Sequence, residues 1–584
     1  MDDDLQLDLP PEDEIAPLLP YNYFPAAPTA ISESDAARNR HMFVLPNAHR
    51  LPSDEILSYV VSAATMQNPA KMSDFLCSLE PSLDPNLANQ SCFLGPETDL
   101  DQTNQPRAQK LSETERIADV AHSRVVVVID HGIAFWNLAF RSAGKSRFSE
   151  IQFLDFDIGA PYASLPIGRL TDADLTSLCS KADQPDGQTM LLESLKRQFP
   201  RSFYGSYPPP ELDGLWHGTA IADIAAPDDG GKTALFGIEL PDAALRDWGG
   251  DTLQYVLPSA LRAALAMTST IAHLPLIIVL PFAFTAGPHD GSHPIALDIR
   301  YALNKARMTR VVSLVLPAGN HLQDKCTAFI PPTGPGSGAA EVNWQLPPDD
   351  FSPNTVEIIV ENVGLDPNIP RVEITMMNGR TVQAKLLQNQ TARLKLGTVV
   401  IGILGRAADT GVNARYRISI SPTGWIKGTQ RPAPFGDWTV SIATTQPATL
   451  WVLRDERDVA SDMARPNRGS YFTHPNYRER DVDGDFFWDD KLASAVRRSG
   501  TASVMSTAAG STTVEALEAL GPQTPRQAWY SGRAIAGGAF DISVLVDDGY
   551  EGRGLNAVGN GSGRVFRVSG TSAATARAAR DIYP

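Results

Sequence analysis

Ser572 stands in a setting typical of an activated nucleophile. It follows Gly570-Thr571 and precedes the small residues Ala573-Ala574-Thr575-Ala576, a pattern that predicts a helix starting at the serine. A serine hydroxyl at a helix N-terminus, with small residues beside it, can be approached by both a base and a substrate. The tripeptide alone is weak, because Gly-Thr-Ser also forms ordinary loops.

An acid and a base occur earlier in the chain. Asp130 ends the β-branched run from Val125 to Ile129, which is typical of a strand buried on both faces of a parallel sheet. Open α/β sheets place their active clefts at the carboxyl ends of such strands. His217 opens an Ala/Ile-rich segment that predicts a buried helix. Taken alone, Asp130 also suits a turn, and His217 a core or capping position.

A candidate oxyanion donor follows a second apolar run. Val311 to Leu316 predicts another buried strand, which exits into Pro317-Ala318-Gly319-Asn320. A side-chain amide at this point can donate a hydrogen bond to the negative oxygen of a tetrahedral intermediate, and losing one such donor typically costs about 10²–10³ in rate. An asparagine after glycine is also common in plain turns.

The four segments, in this order, resemble the motifs of the subtilisin-like serine proteases, or subtilases. The resemblance implies Ser572 as nucleophile, His217 as general base and Asp130 as the group that orients the imidazole. It also implies that Asn320 and the Ser572 backbone amide bind the oxyanion. The segment after the run Leu276 to Leu280 looks like the edge that pairs with an extended substrate, through Pro281, Phe282 and Ala283.

Several residues depart from the family pattern. His131 replaces the usual Ser or Thr after the acid, Ala220 replaces a second histidine, and Ala576 replaces a proline. Phe282 makes the substrate edge bulkier than usual. None of these changes removes a group that the mechanism needs, but they motivate the alternative of an inactive, peptide-binding member of the fold.

The expected fold class is α/β, a subtilisin-like parallel sheet flanked by helices, with an inserted antiparallel β-sandwich. The predicted catalytic domain occupies 121–335 and 456–584, and the sandwich occupies 340–455, where alternating apolar and polar runs are broken by Pro, Gly and Asn. Residues 1–120 form an N-terminal extension, either an inhibitory prosegment or a docking region. Within it, Leu51 to Leu79 has helical periodicity.

Composition narrows the function classes. The chain has 584 residues, of which 43% are hydrophobic and 20% charged, so it can bury a large core. A net charge of −17 argues against nucleic acid as a partner, and no apolar run is long enough to predict a transmembrane helix. The acidic start, Met1-Asp2-Asp3-Asp4, is unlike a secretory signal. We therefore expect a cytoplasmic protein.

No metal site or cofactor is predicted. The four cysteines, Cys77, Cys92, Cys179 and Cys326, are scattered, so free thiols are expected. The acidic stretch Asp481 to Asp485 resembles a calcium loop, but Leu492 stands where that loop needs a bidentate Glu. His289 and His293 are four residues apart, with Gly291 between them, which disfavours a rigid helical metal site.

The expected function is a serine endopeptidase that hydrolyses peptide bonds through an acyl-enzyme. Its substrate would be a protein or peptide, and a partner protein could bind the N-terminal extension or the β-sandwich. Two alternatives remain open. One is a catalytically inactive peptide-binding protein, and the other is a protease that only processes its own chain.

Overall fold

The computed structural model describes most of the chain after residue 121. It covers 122–582 except for 143, 155–165, 201, 203–213, 242–252, 286, 292, 334–338, 351–353, 363–368, 388–389, 398, 407–412, 425–431, 454–468, 520–523, 536–537 and 549–552. Before residue 122 it describes four strands, namely β1 Leu5–Asp8, β2 Asn39–Val44, β3 Ser58–Ser62 and β4 Cys92–Thr98.

The elements of the first half include both strands and helices. They are β5 Arg124–Asp130, β6 Arg141–Ser142, β7 Lys145–Ser146, β8 Phe148–Leu154, β9 Pro166–Thr171, α1 Asp172–Ala182, α2 Gly187–Gln198, α3 His217–Ala225, β10 Thr233–Glu239, α4 Leu253–Met267, β11 Leu276–Val279, α5 Pro294–Arg307 and β12 Val312–Pro317.

The elements of the second half are mostly strands. They are β13 Thr327–Ile330, β14 Ala340–Leu346, β15 Asn354–Val360, β16 Arg371–Thr375, β17 Thr381–Ala384, β18 Gln390–Leu396, β19 Val399–Arg406, β20 Ala414–Ile420, β21 Gly436–Ala443, β22 Ala448–Leu453, β23 Tyr471–Thr473, β24 Val496–Arg497, β25 Thr512–Ala519, β26 Arg526–Gln527, β27 Ile542–Asp548, β28 Leu555–Val558, β29 Val565–Val568 and α6 Thr571–Asp581.

A parallel sheet forms the centre of one half of the molecule. Its strands lie in the order β25-β12-β11-β5-β10-β8, and each neighbouring pair is parallel. Strand β5 lies in the middle, and its side chains alternate between two cores. Val126 and Val128 pack on one face of the sheet, whereas Val125 and Val127 pack on the other. This two-sided burial explains the unbroken β-branched run.

Helices cover both faces of this sheet. One apolar core joins the sheet to helices α1, α2, α3 and α6, and a second core joins the opposite face to α4 and α5. The mixed α/β class is therefore confirmed, with parallel and antiparallel sheets in one chain. No described helix combines the length and the apolar composition needed to cross a membrane.

Two antiparallel sheets form the other half. One has the strand order β1-β18-β19-β20-β15-β22-β13-β24 and the other has β17-β16-β21-β14-β23. They share a core that contains Trp344, Trp438 and Phe472, among other buried residues. Four strands of these sheets come from outside the predicted sandwich range of 340–455, namely β13, β23, β24 and, from the N-terminal extension, β1. The domain bounds stay a prediction.

The helical prediction for Leu51 to Leu79 is wrong at Ser58–Ser62, which is strand β3. This segment, Ser-Tyr-Val-Val-Ser, contains aromatic and β-branched residues that favour strands, and it pairs with β2 in a three-stranded sheet with β4. Apart from its four strands, the predicted N-terminal extension lies outside the described residues. Its role as a prosegment or docking region stays a prediction.

Candidate active site

Asp130 is held in a rigid turn at the carboxyl end of β5. Its backbone is paired with that of Glu239 on the neighbouring strand β10, and both side chains are fully buried. The Glu239 carboxylate accepts hydrogen bonds from the amides of Gly132, at 2.7 Å, and Ile133, at 3.1 Å. Thr219 of helix α3 donates its hydroxyl to the Gly132 carbonyl. The turn after the acid is thus tied to both the sheet and the next helix.

His217 is the first residue of α3 and faces Asp130. Its Nδ1 lies 2.9 Å from Oδ1 and 2.8 Å from Oδ2 of the carboxylate. Close approach of the helix depends on Gly218, because a Cβ there would lie 2.6 Å from the His131 carbonyl oxygen and 3.0 Å from the Asp130 Cβ. The Gly218 amide instead donates to that carbonyl at 2.8 Å. The small residue after His217 is therefore required by packing.

The electrostatics of the pair follow from its unequal exposure. The Asp130 side chain is fully buried, whereas that of His217 is 33% exposed. Burial alone would raise the pKa of Asp130, but the charge of His217 and hydrogen bonding to both His131 and His217 lower it to about 2. Burial likewise lowers the pKa of His217, and the charge of Asp130 outweighs this and raises it above 6.5. The pair favours an ionised carboxylate beside an imidazole that readily takes a proton.

Two further rings surround this pair. The imidazole of His131 stacks on that of His217, with centroids 5.4 Å apart and planes 10° apart. Its Nδ1 lies 3.1 Å from Oδ1 of Asp130. The Phe282 ring packs obliquely on both histidines, at centroid distances of 6.1 Å and 6.3 Å. Phe282 thus belongs both to the predicted substrate edge and to the surroundings of the histidine.

Ser572 is the second residue of α6, whose buried alanines pack in the same core as α3. Its hydroxyl donates to the carbonyl oxygen of Pro281 at 3.0 Å. The turn before it needs Gly570, whose φ of 113° is unfavourable for other residues. The Gly570 amide donates to the Tyr530 hydroxyl, which in turn donates to Asp547. These contacts fix the start of the helix that carries the serine.

Asn320 lies beside the same turn. Its Oδ1 accepts hydrogen bonds from the Thr571 amide, at 3.0 Å, and from the Thr571 hydroxyl, at 2.9 Å. With Oδ1 committed to these two donors, the amide nitrogen of the side chain is the group that can donate to a ligand. Asn320 is solvent-exposed, so a ligand can reach it.

The structure therefore places the predicted residues in two contacting groups. Asp130 and His217 form one group, and Ser572 contacts Pro281 in the other, while Asn320 adjoins Ser572 through Thr571. Phe282 lies between the groups because it touches His217 and follows Pro281. The Cβ of Ala283 lies 3.1 Å from the position that a Cβ on Gly319 would take. This close approach joins the predicted substrate edge to the loop that carries Asn320.

Sequence reasoning missed the supporting roles of Glu239 and Thr219 and the position of the His131 ring. Glu239 ends an apolar strand, as Asp130 does, and this shared position was the available signal. Cys179 and Cys326 are both buried cysteines that form no disulfide among the described residues. The side chains of Cys77 and Cys92 lie outside the described residues.

Comparisons with known proteins inform the fold more than the chemistry. No family model matches the chain, and no curated protein matches its sequence. Among solved structures, the CspB protease of Clostridium perfringens is similar, with a TM-score of 0.54 and 14% sequence identity. The match covers 79% of this chain and 81% of the other. At this identity the likeness extends to the fold alone, an α/β fold shared with a protein described as a protease.

Proposed function

We propose that this chain is a serine endopeptidase of the subtilisin-like class. The observation that carries the proposal is the buried Asp130 carboxylate, which holds Nδ1 of His217 at 2.8 Å and leaves the other ring nitrogen available as a base. The serine helix packs against the same core, and the similar fold of a protein described as a protease supports the assignment.

In the proposed mechanism Ser572 attacks the carbonyl carbon of a peptide bond in an extended substrate. The hydroxyl has one proton, which it now shares with the Pro281 carbonyl, so it must turn toward Nε2 of His217 before the attack. Catalytic hydrogen bonds are often formed only once a substrate is bound. His217 takes the proton, and the ionised Asp130 stabilises the imidazolium that results.

The developing oxyanion would be bound by the side-chain amide of Asn320 and the backbone amide of Ser572. The Thr571 contacts orient Asn320 for this role. His217 then donates its proton to the leaving amine, which departs and leaves Ser572 acylated. Water, deprotonated by His217, hydrolyses the ester and restores the serine.

The decisive experiment is intact-mass measurement after treatment with a fluorophosphonate probe, which phosphonylates only activated serines. We expect one adduct on the wild-type chain and none on Ser572→Ala or His217→Ala. Ser543→Ala is the matched control, because Ser543 is an exposed serine outside the site whose hydroxyl donates to Glu515. Its labelling should equal that of the wild type.

Two other results would redirect the proposal. If no adduct forms, either on the full chain or after N-terminal trimming, the enzyme assignment is contradicted and a peptide-binding protein is favoured. The Ser572 hydroxyl would then stay on the Pro281 carbonyl and never reach His217. Labelling together with a single self-cleavage, but no cleavage of other proteins, would favour a protease that acts only on its own chain. Labelling that appears only after trimming would assign residues 1–120 as an inhibitory segment.

Asn320 provides a second, graded test. We expect Asn320→Ala to lower the rate of labelling about 10²–10³-fold, because one oxyanion donor is lost. Thr571→Val should lower it less, since it removes only the hydroxyl that orients the amide. Equal rates for wild type and Asn320→Ala would remove Asn320 from the mechanism.

A further inference from the structure

The side chain of His131 creates an unusual arrangement at the acid. Two parallel imidazoles face one buried carboxylate, His131 with Nδ1 at 3.1 Å from Oδ1 and His217 with Nδ1 at 2.8 Å from Oδ2. Both rings thus direct their Nδ1 atoms to Asp130. In the resemblance that the sequence shows, a small hydroxyl residue takes the position of His131, so this geometry belongs to the present chain.

We propose that Asp130, His131 and His217 form an inhibitory zinc site. The ligand atoms of the three side chains all lie within 4.8 Å of one another. Tetrahedral Zn²⁺, with bonds of about 2.0–2.1 Å to nitrogen and oxygen, places its ligand atoms about 3.3 Å apart. Small side-chain rotations are therefore enough to bring the three atoms around one ion.

The donor set selects the type of ion. Two neutral imidazole nitrogens with one carboxylate oxygen suit Zn²⁺, whereas Mg²⁺ and Ca²⁺ prefer oxygen ligands alone. The buried Asp130 carboxylate supplies a negative charge opposite the cation. Both imidazoles are partly exposed, since 19% of the His131 side chain and 33% of the His217 side chain are accessible to solvent. This exposure provides a path for the ion and a place for a water molecule as fourth ligand.

Zinc binding and catalysis require different tautomers of the His217 ring. When Nδ1 of neutral His217 binds the ion, the ring proton must sit on Nε2. The proton leaves Nδ1 and another is taken up at Nε2, so the ring stays neutral. That tautomer has no lone pair to accept the proton of Ser572, so the zinc-bound protein cannot activate its nucleophile. The inhibitory consequence rests on the proposed function, whereas the binding of zinc does not.

The test separates zinc binding from activity. Binding of Zn²⁺ to the full chain is measured by isothermal titration calorimetry, and fluorophosphonate labelling is measured with added zinc and with EDTA. The variant His131→Phe keeps an aromatic ring against His217 but removes the ligand, and His131→Ser repeats the test with a smaller residue. His474→Phe is the control, because His474 is a partly exposed histidine outside the cluster. Circular dichroism establishes that each variant is folded.

We expect one zinc ion per chain for the wild type and for His474→Phe, and binding at least about tenfold weaker in both His131 variants. Added zinc should suppress labelling of the wild type, and the ratio of labelling with zinc to labelling with EDTA should rise toward one in the His131 variants. Equal affinity in wild type and His131→Phe, or no binding to the wild type, would overturn the zinc site.

The two proposals fail in distinguishable ways. Labelling in EDTA without zinc binding would leave the serine endopeptidase standing and remove the metal site. Zinc binding that depends on His131, in a chain that is never labelled, would establish the metal site and remove the endopeptidase.

Discussion

Two pairs of neighbouring histidines lie in opposite electrostatic environments. His131 and His217 flank the ionised Asp130, and the pKa of His217 is raised. At His289 and His293 burial dominates instead, and their pKa values fall to about 4 and about 3. Burial penalises a charged imidazole in both places. The comparison therefore shows that one buried carboxylate is enough to turn a structural histidine into a candidate base.

The second pair has structural partners. The His289 ring stacks on Trp451 of β22, at a centroid distance of 4.7 Å, and its Nε2 donates to the Thr285 carbonyl. His293 is the N-cap of α5, where its Nδ1 accepts a hydrogen bond from the Ile295 amide at 3.2 Å. His289 joins a loop of the parallel sheet to the antiparallel half, and His293 starts a helix. The second task needs a neutral ring, because Nδ1 of His293 must keep its lone pair to accept from Ile295.

The largest expected effect comes from removing the negative charge of Asp130, which distinguishes the surroundings of the first histidine pair from those of the second. Asp130→Asn keeps the shape of the side chain, and its amide oxygen can still accept from the His131 amide, which now donates at 2.8 Å. Without the carboxylate, burial dominates at His217 and its pKa falls. We expect the rate of fluorophosphonate labelling to drop about 10⁴-fold.

Asp290→Asn is the matched control for this prediction. Asp290 raises the pKa of His289 through its charge, as Asp130 does for His217, but it lies beside the structural pair. Its substitution should leave the labelling rate unchanged. A loss of less than about tenfold in Asp130→Asn would show that the carboxylate does not drive the chemistry.

The residues proposed as acid, base, nucleophile and oxyanion donor were found from sequence patterns. Asp130 and Asn320 come at or soon after the end of a buried strand, and His217 and Ser572 come at the start of a small-residue helix. The strands β5 and β12 differ from their predicted bounds by one residue, since continuous β-branched runs leave little ambiguity. The surroundings were less visible. Contacts of His131 with His217 join residues far apart in sequence, and only the folded arrangement shows that both rings face Asp130.

The antiparallel half shows the complementary limit of sequence reasoning. Alternating strands such as β15 were recognisable, because one face is apolar and turns separate the runs. The recruitment of β13, β23 and β24, and of β1 against β18, was not predictable. These strands are short, and β1, β23 and β24 lie at sheet edges. They pair through backbone groups, which leave little trace in the side-chain pattern.

A pair of aromatic substitutions gives the next largest effects and separates the two environments. Phe282 packs on His131 and His217 at a partly exposed position, whereas Phe284 packs on His293 and is 3% exposed. We expect Phe282→Ala to slow labelling about tenfold, through loss of ring contacts of about 1 kcal/mol and a looser substrate edge. We expect little change in the temperature of unfolding.

Phe284→Ala should have the reverse effect. Truncating a buried phenylalanine costs about 3–5 kcal/mol of stability, so the thermal unfolding midpoint should fall clearly. Labelling by the protein that remains folded should stay near the wild-type rate. If both variants lost activity and stability in the same proportion, the aromatic contacts of the two histidine pairs would be equivalent and the comparison would fail.

The smallest effect concerns acid sensitivity, and the sign follows from the depressed pKa of His293. Below pH 6.5 an unfolded histidine takes up a proton, whereas His293 in the folded chain does so only near pH 3. The unfolded state therefore binds more protons in this window. The contribution of the neutral His293 to stability is complete above pH 6.5 and is lost progressively as the pH falls toward about 3.

His293→Asn tests this prediction with little structural change, because an asparagine oxygen can also cap the helix by accepting from the Ile295 amide. We expect wild type and variant to unfold at similar temperatures at pH 7.5. At pH 5.0 the wild type should lose more of its thermal stability than the variant, because only the wild type carries the penalty of a neutral buried imidazole. Parallel losses would mean that His293 is protonated in the folded chain near pH 5, and that a counter-charge serves this pair as Asp130 serves the other.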